Sequence, residues 1–598
     1  MPVAPKPIIY QLVVRYFGNI NATNRWAGEI EENGCGKFAD IDQAAISSLS
    51  ELGVTHIWFT GVMRQATLTP HPTLGFEPDD PDIVKGRAGS FYAVRDYFDV
   101  CPDYALDATH RMEEFEALVA RIHAAQMQVL IDFVPNHVAR SYRSLIRPEL
   151  NFGGNDDQTR FFHCHNSFYY LVDPPGQRLE LSRPSYWNPP GVQFDGRFEP
   201  EDGGPGRIPK ATGDAWKFDT SSQPDETEWY EAIKLNYGYN YVEERGYYDP
   251  IPRTWQIMDE ILAFWQAKGV DGFRCDMAQL VPREAWSYLI QHARQPERNP
   301  HVFFLAEAYI GSRSDDPVKS LNQLLEAGFD CIYHDNSYNR LTEIFRGQGG
   351  QDAYEREMSL LSERERATAV EYLENHDKPR VAAEIRHMGF GSPDANYLLA
   401  PLQFLYSSGP ALILNGQEVG EPGAGQEGFH MDPGRTTFFD YWCMPEFAKW
   451  VNQHAYDGAR LSSSRQALRQ YFSQLFELCQ HSCVRASGYW GLKYFNRSSR
   501  FADCPDDLYT FARFEPGSGR LLLLVANFRY GTACSGTVRI PEELAASVGF
   551  KADVAVKLVF DRSGSRHRHV ATLTREKLAE SGFTADPSEG ETQVFELA

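Results

Sequence analysis

The stretch "DGFRCDMAQ" (271–279) opens like a buried strand and then places Arg274, Cys275 and Asp276 in succession. Alternate residues of a strand share a face, so Arg274 and Asp276 point one way while Phe273 and Cys275 point the other. Other apolar runs end in groups of the same kind. "QVLIDFVPNH" (128–137) carries Asp132, Asn136 and His137, "VFFLAEAY" (302–309) carries Glu307, and "AVEYLENHD" (369–377) carries Asn375, His376 and Asp377. Carboxylates are seldom buried without a task, so acids and histidines gathered at strand ends point to acid–base or nucleophilic chemistry rather than packing.

Elements able to bring these ends together are visible along the chain. Strand-like runs at 8–17, 54–62, 128–137, 269–277, 302–309, 329–335, 369–377 and 411–418 alternate with helical patterns at 108–127, 253–269 and 350–366, the first opened by a Thr cap candidate. Eight strands alternating with helices is the count for a (β/α)8 TIM barrel, whose active site lies where the strands end. An open doubly wound sheet shows similar local patterns. Residues 138–236, rich in Pro, Gly and aromatics, read as a subdomain inserted after the third strand. Beyond a helical stretch at 463–480, short alternating strands read as a C-terminal antiparallel β-sandwich over 491–598. The barrel then comprises 1–137 and 237–490.

The motifs "DFVPNH", "GFRCD", "AEAY" and "ENHD" resemble, in order and at strand ends, the short motifs of the α-amylase family, retaining barrel enzymes (glycoside hydrolase family 13) that act on α-glucans. "SFYAVRDYFDV" (90–100) is similar to that family's segment after the second strand. "IKLNYG" (233–238) is similar to the motif ending its inserted subdomain, and 416–442 to the loop after its eighth strand. The resemblance implies that Asp276 is the nucleophile, Glu307 the general acid/base, and Asp377 the group that grips sugar hydroxyls beside the reacting carbon. It implies further that Arg274 holds Asp276 ionised, that His137 and His376 hydrogen-bond the sugar, and that Tyr92 stacks beneath it. Asp132 is expected as a hydrogen-bond acceptor at the mouth. An apolar strand before Glu307 suits a raised pKa, and a retaining pair needs two carboxyls ~5–5.5 Å apart.

The chain also departs from the family. Met277, Ala278, Gln279 and Leu280 follow Asp276 where many starch-cleaving relatives have, at the last two positions, a Lys-His pair that contacts the sugar on the leaving-group side. Long-chain starch endo-cleavage is therefore not expected, and Met277 is read as a substrate-binding residue. "FTG" ends the second strand where a proline is usual. "EENGCGKFADI" (31–41) resembles an acidic metal loop with Cys35 in place of an acid. Asn136 matches a calcium ligand of many amylases, yet relatives without the metal carry it too, so no cofactor is required by this reading and calcium stays open. "HCH" (163–165) lacks partners for a metal site, and "RHRH" (566–569) reads as a solvated loop.

Composition sets the outer limits. The 598 residues, 42% hydrophobic and 23% charged, suit a soluble multidomain protein, and the net charge of −23 repels nucleic acid and anionic membrane alike. No secretory signal layout or membrane span is evident, and ten scattered cysteines without a CxxC pair fit free thiols in a cytoplasm. The expected partner is an oligosaccharide α-glucoside. Hydrolysis, transglycosylation and sugar isomerisation all use the same acids. A non-catalytic, transporter-associated relative is expected to lose those acids and gain a span, whereas this chain keeps three acids and has no span.

Overall fold

A computed structural model describes residues 5–183, 194–198, 207–214, 222–309, 321–384, 389–423, 434–498, 501, 503–529, 531–551 and 553–598. Parallel strands β1 (Ile8–Val13), β2 (His56–Thr60), β3 (Gln128–Phe133), β4 (Gly272–Cys275), β5 (Phe303–Ala306), β6 (Cys331–Tyr333), β7 (Ala369–Tyr372) and β8 (Ala411–Leu414) close into a barrel in sequential order. The closed sheet, not an open doubly wound one, is therefore the arrangement adopted. Helices lie between them: α1 (Gln43–Leu52), α2 (Arg111–Ala124), α3 (Arg253–Ala267), α4 (Arg283–Ala293), α5 (Leu321–Ala327), α6 (Asp335–Phe345) and α7 (Asn396–Tyr406), with α8 (Ser463–Cys479) after β8. The strands read as unbroken apolar runs because one face fills the barrel and the other packs under helices.

Local chemistry shifts some expected boundaries. The 108–127 pattern begins with a 3-10 turn capped by Asp107, whose carboxylate accepts from the Thr109 amide, so Thr109 is not itself the cap. The 350–366 pattern is two helices, Gln351–Leu360 and Glu363–Thr368, because Ser362 and Glu365 form a capping box that starts the second. In the "FTG" that ends β2, Gly61 has φ +67°, and a Cβ there would lie 2.3 Å from the Phe91 ring. Its amide donates to Asp132 Oδ2 at 2.9 Å, a bond that a proline could not make.

The segment after β3 leaves the barrel through a ribbon, His137–Ala139 paired antiparallel with Ala232–Lys234. The only helical pieces among its described residues are 3-10 turns at Pro148–Leu150 and Glu226–Glu228. The C-terminal part is built on β9 (Gly488–Gly491), β10 (Leu508–Phe514), β11 (Leu521–Asn527), β12 (Gly536–Val538), β13 (Asp553–Asp561), β14 (Gly564–Thr574), β15 (Phe583–Ala585) and β16 (Thr592–Leu597). Six form one antiparallel sheet in the order β9-β10-β11-β16-β13-β14, and β12 pairs with β15 in a second layer. Alternation along β11 shows both faces at work. Leu521, Leu523 and Val525 pack toward the second layer, while Leu522, Leu524 and Ala526 join the barrel core. "RHRH" is not a loop but lies in β14, an exposed edge strand, where charged side chains guard an unpaired sheet edge and leave no hydrophobic alternation to read.

Candidate active site

Register brings the acids to one level. Arg274 on β4 stands opposite Asp132 on β3, and Cys275 opposite Ala306 on β5, one residue before Glu307. Arg274 is fully buried, with Nη1 2.8 Å from Asp276 Oδ1 and 3.4 Å from Asp132 Oδ1, and Nη2 2.7 Å from Glu307 Oε1. The rings of Trp58, Tyr92 and Tyr333 enclose this guanidinium, with centroids 5.1, 5.5 and 5.6 Å from its carbon. Facing aromatic rings favour a cation and hold its plane, so both carboxyls are aimed by one rigid fork. Cys275 lies on the opposite face, fully buried, and burial pushes its thiol well above the ordinary range.

Electrostatics departs from expectation at Asp276. Arg274 does pull its carboxyl toward ionisation. Burial outweighs that pull, the charge of Glu307 adds to the burial, and the Asp276 carboxyl is pushed well above the usual carboxylate range. One guanidinium is shared among three buried carboxyls, so burial and like charge together work against ionising Asp276. Asp132 is also raised, by burial first, against the pull of Arg274 and the Gly61 amide. Glu307 is further held through Oε2, which accepts the Met277 amide at 2.9 Å. Met277 makes that bond from a left-handed backbone, φ +43°, uncommon for a side chain of its size. Gln279 donates weakly to Met277 Sδ at 3.9 Å.

Asp377 is the open member of the group. Its side chain is about a third exposed, at 32%, and His376 Nε2 lies 2.9 Å from Oδ2. What burial it has works upward, but His376, Arg435 and Arg274 outweigh it and hold the carboxyl below its ordinary range. His376 Nδ1 lies 2.8 Å from Gln11 Nε2, and its Nε2 lies between Asp377 and the Tyr92 hydroxyl, 2.6 Å from the latter. Tyr92 also stacks on the His376 ring, centroids 5.3 Å apart. His137 is buried, with Asn136 Nδ2 3.0 Å from its Nδ1. Burial first, then the charges of Lys234 and Lys85, push its imidazole down to about 3, so it is neutral at working pH.

Several contributors escaped sequence reading. Gln11, on β1, meets the His376 ring and also donates to Thr60 Oγ1 at 2.9 Å. Its one signal was a polar residue interrupting an apolar run. Trp58 and Tyr333 read as ordinary core residues. Lys234, on the ribbon, donates its ammonium to Asn136 Oδ1, while Asn136 Nδ2 donates to the Gly213 carbonyl at 2.9 Å. The oxygen that would ligate calcium is therefore already engaged by the Lys234 amine, which burial pushes down to about 7, and the residues present do not fit a metal ion there. In the 31–41 loop, Asn33 donates to the carbonyls of Arg25 and Tyr441. His163 and His165 pack ring against ring at 5.8 Å, and no group of three metal-ligating side chains occurs among the described residues. Chelation by EDTA is expected to leave both turnover and Tm unchanged. Lys234→Met is expected to lower Tm by stranding the buried Asn136 oxygen, a cost of about 1–3 kcal/mol readable by calorimetry. Of the loop at 416–442, residues 424–433 lie outside the described residues.

Comparison with known proteins agrees with this arrangement. Residues 31–305 match the family model described as the alpha amylase catalytic domain. An oligo-1,6-glucosidase of Bacillus cereus is 21% identical over 447 residues, 69% of this chain and 65% of the relative. Alpha-amylase 3 of Dictyoglomus thermophilum is 22% identical over 374 residues, 60% of each chain. The chain thus spans somewhat less than two thirds of these relatives' length. An alpha-amylase structure from Lactobacillus plantarum superposes with a TM-score of 0.58 at 17% identity, covering 99% of this chain and 98% of that one, a likeness of fold. The family model thus covers the strands that carry Asp132, Arg274 and Asp276, and over residues 31–305 this closed eight-stranded barrel is similar to the alpha amylase catalytic domain.

Proposed function

We propose that the protein is a retaining α-glycosidase that hydrolyses α-glucosidic bonds in malto-oligosaccharides or short α-glucans. The observation that carries this reading is Arg274, whose two terminal nitrogens meet Asp276 and Glu307 at 2.8 and 2.7 Å. Two carboxyls held on one guanidinium fork suit a retaining mechanism, which asks for a close pair at ~5–5.5 Å rather than the ~6.5–9.5 Å that leaves room for an inverting water. In this mechanism Asp276 attacks the anomeric carbon as the bond to the leaving oxygen breaks, and Glu307 gives that oxygen its proton. Glu307 then takes a proton from water, whose oxygen attacks the same carbon and frees Asp276. Asp377 and His376 grip the sugar hydroxyls, with His137 and Tyr92 completing the binding surface and Asp132 bracing Arg274. Met277 faces the departing sugar.

The described residues include no helix long and apolar enough to cross a membrane, and all ten cysteines are free, which suits a reducing cytoplasm. The deciding experiment is a product profile from maltoheptaose, isomaltose, trehalose and sucrose. Shorter sugars with a net gain of reducing ends support hydrolysis. Longer oligomers or isomerised sugars without that gain would assign the same carboxyls to a transglycosylase or sugar isomerase. No reaction on any glucoside by the folded protein would favour a non-catalytic relative.

A further inference from the structure

The junction between the barrel and the C-terminal sheet holds several buried cations whose hydrogens outnumber their acceptors. Arg513 on β10 stands opposite Tyr489 of β9 and is fully buried. Its Nη2 donates to the carbonyls of Val484, at 2.8 Å, and Ala486. Its Nε and Nη1 are buried with no acceptor among the described residues. Arg366, shortly before β7, lays its guanidinium over the Tyr489 ring at 5.4 Å, and donates Nη1 to the Leu361 carbonyl. Its Nε is likewise buried without an acceptor. Tyr406, at the end of α7, packs edge-on to that same ring with centroids 5.1 Å apart.

Ser407 follows directly. Its carbonyl accepts the Lys6 ammonium at 2.6 Å, and its own hydroxyl is buried without a partner among the described residues. Glu371, the carboxylate whose charge reaches Lys6, is already engaged by His334, Ser337 and Gln403 at 2.7–2.8 Å. The imbalance shows in the acid–base behaviour. Burial pushes the Lys6 ammonium down to about 8 and the Arg513 guanidinium down to about 10. Repulsion from Arg513 adds to the first, and repulsion from Arg366 to the second. Buried charge without a counter-charge is among the costliest features a fold can carry.

We propose that this junction binds a small monovalent anion of chloride size, held by the Nε groups of Arg366 and Arg513, Arg513 Nη1 and the Ser407 hydroxyl, and that the anion ties the C-terminal sheet to the barrel. A halide suits the setting because it accepts hydrogen bonds from any direction and is small enough for a packed interior. The site is separate from the carboxylate cluster and stands whether or not the glycosidase reading holds.

The test compares Tm of the full chain in sodium chloride, sodium bromide and sodium gluconate at matched ionic strength. Chloride and bromide are expected to raise Tm saturably, by about 1–3 °C, where gluconate does not. Arg366→Gln, at a half-buried position, is expected to remove most of that rise, and Arg513→Gln all of it. Should the Arg513 variant fail to fold, the Arg366 variant carries the comparison. Crystals soaked in bromide are expected to show an anomalous peak between Arg366 and Arg513. An equal response to all three salts, or a bromide-soaked crystal with only water at the junction, overturns the proposal.

Discussion

Asp276→Asn is expected to lower turnover by roughly 10^4-fold or more while leaving Tm unchanged or higher. The loss in rate follows from the role proposed for this carboxylate, since an amide cannot form the glycosyl ester and no neighbouring group lies on the same arm of Arg274 at so short a distance. The stability side has its own logic. Burial, with the charge of Glu307, raises the Asp276 carboxyl above its unfolded value. Between the unfolded value and the raised folded one, the native state binds more protons than the unfolded state, so stability falls as pH rises through that window. The neutral amide removes that penalty, and the gain should be largest on the alkaline side of the window. Rate measured on maltoheptaose and Tm measured across pH check the two halves separately. A folded Asp276→Asn variant with substantial turnover would refute the nucleophile assignment.

Glu307→Gln is expected to cost about 10^2–10^4-fold on natural glucosides, whose leaving oxygen needs a proton. On α-glucosyl fluoride, which departs without protonation, glycosyl transfer to Asp276 should be nearly intact. The pH profile separates this role from a structural one. A general acid works only while protonated, so kcat/KM of the parent protein should fall on the alkaline side, and the Gln variant should lose that limb. His137 should contribute no limb near neutrality, because its imidazole, pushed down to about 3, is already uncharged there. Equal losses on both substrates, with the alkaline limb retained, would move the acid role away from Glu307.

Much of the barrel was legible because its signals are local. Each apolar run ends where its strand ends to within a few residues, and the period-2 alternation of "GFRCD" separates Arg274 and Asp276 from Cys275 without any knowledge of neighbouring strands. Alternation failed where the environment is not one-sided. β14 is an exposed edge, so its "RHRH" looked like a loop, and β9, "GYWG", is too short to show a period. The break at Ser362 was written in a capping box but lay inside a continuous helical pattern, which hid it.

The sequence by itself determined which chemical groups stand at which strand ends, because strand alternation and apolar runs are properties of consecutive residues. Only the tertiary structure decided how those groups share charge. Arg274 divides itself between Asp276 and Glu307, which stand on different strands. Gln11 meets the His376 ring from 365 residues away, and Lys234 takes the oxygen of Asn136 from 98. Such partnerships depend on barrel closure and strand register, and their energetics on burial. Both arise from packing the whole chain at once, and no local pattern encodes them.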